Sequence, residues 1–325
     1  MIVVTGGAGF IGSAVVWKLN QRGMKDILIV DEVDKLSKEK KKNLSNLQYK
    51  DLIDKDNYLN RIKNKGNFKD TSFIFHLGAC SDTTETNEEY MMKTNYLYTK
   101  LLISKCVEND KNIIYASSAA TYGDGKNGFS DAHDKLENFT PLNIYGKSKH
   151  LVDLWVKGKD LLNKVTGLKY FNVYGPNEYH KGEMRSFVVK AFEQIKKSGK
   201  VKLFKSYKKE YKDGEQLRDF IYVKDAVDMT LCFMDNLNNK GIYNIGTGKP
   251  RTWNDLAKAV FKAMGKYVNI EYIEMPGAVR GHYQYYTCAD MEKFKNSECD
   301  FSPCSLEKGV EDYVRNYLIP RKNLE

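Results

Sequence analysis

The sequence has few of the features that mark membrane-spanning or secreted proteins. No window approaches the run of about 20 apolar residues that crosses a bilayer, and residues 1–13 lack the charged and then apolar order of a signal peptide. The six cysteines are scattered, without CxxC pairs or matched histidine spacings, so neither a zinc site nor a disulfide framework is predicted. We expect a cytoplasmic protein with reduced thiols and no bound metal.

The composition is that of a folded globular protein with an excess of positive charge. Apolar residues make up 42% and charged residues 29% of the 325 residues, which allows a sizeable core. The net charge of +10 would suit nucleic acid, but the lysines are spread along the chain and form no recognised binding motif. We therefore predict no nucleic-acid or membrane partner, and a positive field that attracts anionic small molecules.

Short apolar runs alternate with longer helical patterns in the first half of the chain. Strands are predicted at Ile2–Thr5, Ile27–Asp31, Phe73–Leu77, Asn112–Ser117 and Thr166–Asn172, and helices at Phe10–Arg22, Asn57–Lys65, Thr86–Glu108 and Ile144–Lys164. This alternation indicates an α/β protein with a Rossmann-type doubly wound parallel sheet. Ligands of such a sheet gather at the carboxyl ends of its strands.

A smaller α/β substrate-binding domain, interleaved with the first domain, is predicted from the looser pattern after Asn172. Helices are predicted near Ser186–Ser198 and Thr252–Met264, with strands at Phe220–Val223 and Tyr243–Gly248. The NAD(P)-binding domain would comprise residues 1–170, 219–247 and 285–298. The substrate-binding domain would comprise residues 171–218, 248–284 and 299–325.

Three glycines, Gly6, Gly9 and Gly12, stand between the first predicted strand and the first predicted helix. Glycine permits the tight turn and a close backbone approach to a pyrophosphate, while the helix N-terminus supplies amide donors. Asp31 ends the second strand about 20 residues further on, where an acidic side chain binds the adenosine ribose. The two features together predict a nicotinamide dinucleotide site.

The choice between NAD and NADP depends on the residues around Asp31. The carboxylate favours the free ribose diol of NAD, whereas the nearby Lys35, Lys38 and Lys40 could pair with the 2′-phosphate of NADP. The balance slightly favours NADP, with NAD as the alternative.

An acid–base centre is predicted from Ser118, Tyr145 and Lys149. Tyr145 and Lys149 share one face of a predicted helix, and Ser118 lies where a strand ends. An ammonium beside a phenol lowers the tyrosine pKa from about 10 towards neutrality. Alone, such a pair is typical of an exposed helix, but behind a dinucleotide loop it indicates hydride transfer to and from a hydroxyl group.

These residues resemble the extended short-chain dehydrogenase/reductase superfamily, through its Thr-Gly-x-x-Gly-x-x-Gly opening and its Ser, Tyr and Lys set. Within it, the sequence is similar to the ADP-L-glycero-D-manno-heptose 6-epimerase family of nucleotide-sugar epimerases. The motifs that carry this similarity are Gly78-Ala79-Cys80-Ser81, Thr83-Thr84-Glu85, Tyr90-Met91-Met92, residues 116–123, residues 170–176, His180-Lys181-Gly182, Arg218-Asp219-Phe220, Gly246-Thr247-Gly248 and Gly281-His282-Tyr283-Gln284.

The resemblance implies that an ADP-heptose is oxidised transiently at C6 and reduced from the other face, in the synthesis of lipopolysaccharide core heptose precursors. Ser118, Tyr145 and Lys149 would form the dehydrogenase set, with Lys181 as a second acid–base residue. A role for Lys181 as a phosphate contact alone is the alternative, and it stays open. The resemblance also implies one cofactor per subunit and a homo-oligomer, a homopentamer in this family, in a bacterial cytoplasm.

The same resemblance implies two sets of binding residues. The cofactor set is Gly6, Gly9, Phe10, Ile11, Gly12, Asp31, Glu32, Lys38, Lys55, Leu77, Gly78, Ala79, Ser81, Asn95, Tyr145, Lys149 and Val173. The substrate set is Ser81, Ser118, Asn172, Lys181, Glu183, Phe204, Ser206, Arg218 and Tyr283. Leu77 stands where the family carries an acid, and Glu32 stands where it carries a neutral residue.

Other functions stay open at this point. Another nucleotide-sugar epimerase, such as a UDP-hexose 4-epimerase, would keep the dinucleotide loop and Tyr145 but would need no base at Lys181. A dehydratase is disfavoured, because Ala119 and Ala120 cannot transfer protons. A non-catalytic dinucleotide-sensing protein would lose the proton-transfer residues, which this chain keeps.

Overall fold

The computed structural model describes residues 1–63, 68, 70–280 and 283–325. Its strands are β1 (Ile2–Thr5), β2 (Ile27–Asp31), β3 (Asp51–Asp54), β4 (Phe73–His76), β5 (Asn112–Ser118), β6 (Thr166–Tyr170), β7 (Asn172–Tyr174), β8 (Val201–Phe204), β9 (Leu217–Arg218), β10 (Phe220–Tyr222), β11 (Gly241–Ile245), β12 (Arg251–Thr252) and β13 (Ile270–Ile273). Its α-helices are α1 (Phe10–Gln21), α2 (Lys38–Leu44), α3 (Lys55–Lys63), α4 (Glu88–Met91), α5 (Tyr98–Glu108), α6 (Ile144–Gly158), α7 (Phe187–Ser198), α8 (Val223–Asp235), α9 (Trp253–Ala263), α10 (Gly277–Arg280), α11 (Glu292–Lys295) and α12 (Leu306–Tyr313).

A seven-stranded parallel sheet has the order β3-β2-β1-β4-β5-β6-β11. β1 lies between β2 and β4, with Thr5 opposite both Val30 and His76. The chain therefore moves outwards from β1 to β3 and crosses back to β4, which leaves a crevice at the carboxyl ends of β1 and β4. The predicted α/β doubly wound fold is confirmed.

Both faces of this sheet are covered, which explains why its strands are continuously apolar. Successive side chains of β1 point to opposite faces. Val4 belongs to the core that includes Val15 and Val16 of α1, whereas Val3 belongs to a second core that includes Leu102 of α5 and Val156 of α6. The two cores hold the crevice between rigid layers.

The elements outside the main sheet form short two-stranded pairs. β7 pairs with β10 and β8 with β13 in parallel, and β9 pairs with β12 in antiparallel orientation. α9 packs against α7 and α12, while β11 returns to the main sheet beside β6. The chain is thus interleaved, and the proposed domain boundaries stay a prediction.

Several elements differ from their predicted bounds. α6 ends at Gly158 instead of Lys164, because Lys159 leaves the helical conformation and Asp160 has a φ of 55°. The segment predicted as one strand divides at Phe171 into β6 and β7. The predicted helix Thr86–Glu108 begins at Glu88 and contains a π-helical segment at Met92–Leu97. α3 begins at Lys55, and residues 64 and 65 of the predicted helix lie outside the described residues.

The expectation of reduced thiols is wrong for two of the six cysteines. Cys232 of α8 and Cys299 form a disulfide, with their Cα atoms 5.7 Å apart. They are 67 residues apart in the sequence, so no local spacing could indicate the pair. Within the described residues, no helix has both the length and the apolar character needed to cross a bilayer.

Candidate active site

A pocket of about 760 Å³ lies at the crevice between β1 and β4. Ligand pockets typically have volumes of about 300–1,000 Å³, so this pocket is of the size that binds small molecules. Its lining includes the first helix N-terminus, the ends of the central strands and the segment after β7. These elements bring together residues that are far apart in the sequence.

The glycine loop forms the floor of this pocket by close backbone packing. Gly6 has a φ of 67°, and a Cβ there would lie 2.6 Å from the Cα of Gly78. A Cβ at Gly12 would lie 2.1 Å from the Gly6 carbonyl oxygen. α1 follows with Gly9 as its N-cap, and no side chain occupies that cap. The open amides and the narrow cradle fit the pyrophosphate of a dinucleotide.

Asp31 lies at the end of the pocket that would hold the adenosine ribose. Its carboxylate accepts hydrogen bonds from the amides of Ala8, at 3.0 Å, and Glu32, at 2.9 Å. Lys40 Nζ donates to Asp31 Oδ1 at 3.1 Å and also lines the pocket. Lys38 is exposed and is not among the described lining residues, so the structure does not support its predicted role.

Lys40, and not the predicted Lys38, lies at the pocket because of where α2 begins. The Ser37 side chain caps this helix by accepting a hydrogen bond from the Lys40 amide. Lys38 is therefore the first helical residue and points to solvent, whereas Lys40 is two residues further round the turn. The signal in the sequence was the capping serine, which places the start of the helix.

Ser118, Tyr145 and Lys149 line the pocket together. Ser118 is the last residue of β5, and its hydroxyl interacts with the Tyr145 phenol in the direction that lowers the phenol's pKa. Asn143 caps α6 by accepting a hydrogen bond from the Gly146 amide at 2.7 Å, which places Tyr145 in the first helical turn. Lys149, one turn later, donates from Nζ to the Ala116 carbonyl oxygen at 2.9 Å.

The electrostatics of this set differ from the sequence prediction. Burial raises the pKa of the Tyr145 phenol, although the hydrogen bond with Ser118 acts in the opposite direction. Burial also lowers the pKa of Lys149 to about 8, against the charge of Asp153. The predicted lowering of the tyrosine pKa by Lys149 is therefore not seen, because burial dominates the pKa of the phenol.

A buried ion pair lies behind Ser118, Tyr145 and Lys149. Asp153 accepts hydrogen bonds from Tyr115 at 3.0 Å, Ser117 at 2.7 Å and Lys169 Nζ at 2.6 Å. The side chains of Asp153 and Lys169 are completely buried. Asp153 is one helical turn beyond Lys149, so this cluster joins α6 to β5 and β6 directly behind Ser118.

Lys181 reaches the pocket from a different wall. It belongs to the 3-10 segment Tyr179–Met184, and its Nζ lies 5.4 Å from the centre of the Phe10 ring at the start of α1. Burial lowers the pKa of Lys181, against the charge of the buried Glu178. Its surroundings therefore favour the neutral amine more than a surface lysine's would.

Most of the other predicted cofactor residues line the pocket, and one of them lies behind its wall. Among the described residues, those lining the pocket are Gly6, Gly9, Phe10, Ile11, Gly12, Asp31, Glu32, Lys55, Leu77, Gly78, Ala79, Ser81 and Val173. Asn95 instead lies behind the wall. Its side chain accepts a hydrogen bond from the Cys80 amide at 2.8 Å and donates one to the Ser148 hydroxyl at 3.0 Å. Asn95 therefore positions the wall and is not among the described lining residues.

The predicted substrate residues divide in the same way. Ser81, Ser118, Asn172 and Lys181 line the pocket, whereas Glu183, Phe204, Ser206, Arg218 and Tyr283 are not among the described lining residues. Glu183 is 93% exposed and pairs with Lys190. Gly281 and His282 of the predicted motif lie outside the described residues.

Arg218 stands directly behind the pocket wall. Its guanidinium lies 5.7 Å from the ring centre of Trp253 and 5.3 Å from that of Tyr283. Trp253 and Phe187, whose rings are 5.4 Å apart, both line the pocket, and neither was predicted from the sequence. The sequence signal that Trp253 and Phe187 line the pocket was weak, because aromatic residues at helix starts are more often part of the core.

Comparisons with known proteins agree with this geometry. The model of the family described as NAD dependent epimerase/dehydratase matches residues 2–246. The chain is 48% identical over 318 residues to an ADP-L-glycero-D-manno-heptose-6-epimerase of Nitratidesulfovibrio vulgaris, covering 98% of each chain. It is 49% identical over 327 residues to the enzyme of the same name from Fusobacterium nucleatum, again covering 98% of each.

Solved structures give the same result. The crystal structure of Helicobacter pylori ADP-L-glycero-D-manno-heptose-6-epimerase superposes with a TM-score of 0.79 at 29% identity, covering 97% of this chain and 95% of that one. The UDP-glucose 4-epimerase of Thermotoga maritima, solved with UDP-glucose, has a TM-score of 0.77 at 28% identity, covering 98% and 99%. The chain belongs to the NAD dependent epimerase/dehydratase family and, within it, to the ADP-L-glycero-D-manno-heptose-6-epimerases.

Proposed function

We propose that this enzyme converts ADP-D-glycero-D-manno-heptose to ADP-L-glycero-D-manno-heptose by oxidising and then reducing the C6 position. The observation that carries the proposal is that two separate proton-transfer groups share one pocket. Tyr145 faces it from α6 with Ser118, and Lys181 faces it from beside Phe10. Two proton carriers suit an inversion in which the carbon is presented to the cofactor in two substrate orientations, one carrier serving each orientation.

The oxidation half uses the group on α6. Ser118 orients the C6 hydroxyl, and Tyr145 takes its proton. A nicotinamide dinucleotide held by the glycine loop and Asp31 would supply the redox chemistry, as the carrier of the hydride. Lys149 lies buried one helical turn beyond Tyr145, where its charge would stabilise the phenolate that accepts the proton, against the effect of burial. The product of this half is a C6 ketone.

The reduction half uses the other wall. When the hydride returns to the opposite face of C6, the new hydroxyl oxygen needs one proton. Lys181 is the candidate on the wall beside Phe10, and its lowered pKa makes it a better proton donor than an ordinary lysine. The overall reaction is redox-neutral, so the cofactor is regenerated in each turnover.

The remaining parts of the ligands have their own proposed contacts. One nicotinamide dinucleotide binds per subunit, with its pyrophosphate at the N-terminus of α1. NADP, which the sequence slightly favoured, would require Lys40 and Lys55 to leave Asp31 and Glu32. The ADP pyrophosphate of the substrate would reach Arg218 by displacing Trp253, because the guanidinium lies behind that ring.

The proposal is tested by proton NMR of the purified enzyme with ADP-D-glycero-D-manno-heptose in D₂O and no added reductant. We expect the L-glycero epimer to appear with the original hydrogen retained at C6, because the hydride never exchanges with solvent. Deuterium at C6 would instead indicate removal of a carbon-bound proton and would overturn the mechanism. Inversion of a UDP- or GDP-hexose, with no reaction of the heptose, would overturn the substrate.

We also propose a homo-oligomer, a homopentamer by family resemblance, in a bacterial cytoplasm. Exposed apolar side chains such as Tyr267, which is 99% exposed, and Leu97 support subunit contacts. Size-exclusion chromatography with light scattering tests this, and the mass of a single chain at micromolar concentration would contradict it.

A further inference from the structure

Two acid–lysine pairs stand at the ribose end of the pocket. Lys40 Nζ pairs with Asp31 Oδ1 at 3.1 Å, and Lys55 Nζ pairs with Glu32 Oε1. All four residues line the pocket. Lys35 also approaches Glu32, at 3.9 Å, but its side chain is 74% exposed. Lys40 and Lys55, the lysines that line the ribose end of the pocket among the described residues, are therefore already held by carboxylates.

The Asp31 carboxylate is fixed in place but retains an acceptor site. Oδ1 accepts from the Glu32 amide and from Lys40, and Oδ2 accepts from the Ala8 amide. A carboxylate has about four lone-pair sites, so one remains on Oδ2. Both lysine contacts of Glu32 use Oε1, which leaves Oε2 for a donor. A ribose diol supplies two such donors.

Glu32 stays ionised in this position. Burial alone would raise its pKa, but the hydrogen bond and charge of Lys55, with the charges of Lys35 and Lys40, bring it below the ordinary value. Burial acts to lower the pKa of Lys55, but the hydrogen bond and charge of Glu32 raise it above its ordinary value. The pair is about 72% buried on both sides, since 27% of Lys55 and 28% of Glu32 is exposed. It is therefore only partly screened by water.

A 2′-phosphate and a ribose diol place opposite demands on these pairs. The phosphate carries a charge of about −2, and it must draw Lys40 and Lys55 away from their acids. Asp31 and Glu32 would then be two partly buried carboxylates without partners, beside a third anion. The diol donates to the free carboxylate oxygens and leaves both ion pairs intact.

We infer that this enzyme prefers NAD to NADP, and that Glu32 sets the preference by holding Lys55 and by repelling a 2′-phosphate. The inference rests on the proposed function, since it concerns the cofactor of that reaction. The inference reverses the slight preference for NADP that the sequence indicated from its nearby lysines. Lys40 and Lys55, which line the ribose end of the pocket, are paired with acids. The inference also gives a role to the acid that departs from the family pattern at position 32.

Cofactor binding tests this without measuring epimerisation. Dinucleotide that remains with the purified full-length protein is identified by mass spectrometry, and protein cleared of it is titrated with NADH and NADPH, following nicotinamide fluorescence. We expect a Kd for NADH at least about tenfold below that for NADPH. Glu32→Gln should lower the NADPH Kd by about tenfold and change the NADH Kd by less than about threefold.

Glu39→Gln is the matched control. It removes the same charge from a residue on α2 that pairs with Lys42 at 3.1 Å and is not among the described lining residues. Adding Lys55→Met to Glu32→Gln should abolish the gain in NADPH affinity. Equal Kd values for wild-type protein, tighter NADPH binding, or equal shifts in Glu32→Gln and Glu39→Gln would each overturn the inference. A clear NADH preference without conversion of the heptose would instead overturn only the proposed function.

Discussion

The proposed proton carriers are single side chains whose pKa values are set by burial. Burial raises the pKa of Tyr145 and lowers those of Lys149 and Lys181. Each shift favours the uncharged form, because a low-dielectric pocket penalises charge. Residues of this kind cluster at catalytic sites, which supports the two-carrier mechanism.

At this scale, we predict different effects of removing each proton carrier. Tyr145→Phe should retain dinucleotide binding but lower kcat by about a hundredfold to ten-thousandfold with either epimer as substrate. Lys181→Met should impair one epimer more than the other, because in the proposed mechanism Lys181 serves one substrate orientation. Initial rates measured separately with each epimer test this. The exposed Lys197 on α7 provides the control, as Lys197→Met. Equal, mild losses in both active-site variants would contradict the two-carrier mechanism.

At the scale of elements, the geometry of the candidate active site depends on how α6, β5 and β6 are joined. Asp153 of α6 binds Ser117 of β5 and Lys169 of β6 within one buried cluster. This arrangement holds the strand end that carries Ser118 against the helix that carries Tyr145. Nothing in the local sequence pattern predicted the cluster, since its members are up to 54 residues apart, from Tyr115 to Lys169.

We predict that Asp153→Asn destabilises the protein by about 3–5 kcal/mol, because it leaves Lys169 buried without a charged partner. It should also lower the pKa of Lys149 further, since the charge of Asp153 raises it. Urea unfolding measures the stability. The double variant Asp153→Asn/Lys169→Met should regain much of the loss, because no unpaired charge remains. A single variant as stable as the wild-type protein would show that the pair has no structural role.

At the scale of the whole molecule, one buried and two half-buried histidines make the fold sensitive to acid. Burial, the main cause in each case, lowers the pKa of His76 to about 3 and those of His133 and His180 to about 4. The unfolded chain therefore takes up protons below about pH 6.5 that the folded chain does not. Asp131 acts in the opposite direction, since burial raises its pKa to about 6.

We predict that the free energy of unfolding decreases between pH 7 and pH 5. Each histidine removes at most about 2 kcal/mol over this interval, whereas Asp131 returns about 1 kcal/mol. Urea unfolding at fixed ionic strength across this range tests the sign. His133→Gln should make the dependence shallower. Stability that is constant or rises towards pH 5 would contradict the histidine assignments.

What the sequence alone determined depends on local spacing. The bounds of β1 and β2, the glycine loop, Asp31 at a strand end and the Tyr145–Lys149 face all follow from periodicity within one element or one turn. The α/β fold followed from the alternation of such elements. α2 and β3 were missed, because a lysine-rich turn and a four-residue strand carry little periodic signal.

Only the tertiary structure decided which distant residues meet and how deeply they are buried. Folding forms the disulfide between Cys232 and Cys299 and the buried ion pair of Asp153 with Lys169. It also pairs Lys40, instead of Lys38, with Asp31, and Lys55 with Glu32. It also raised the pKa of Tyr145 against expectation. The physical reason is that ion pairs and pKa values depend on distance and desolvation in space, and these quantities leave no trace in the spacing of residues along the chain.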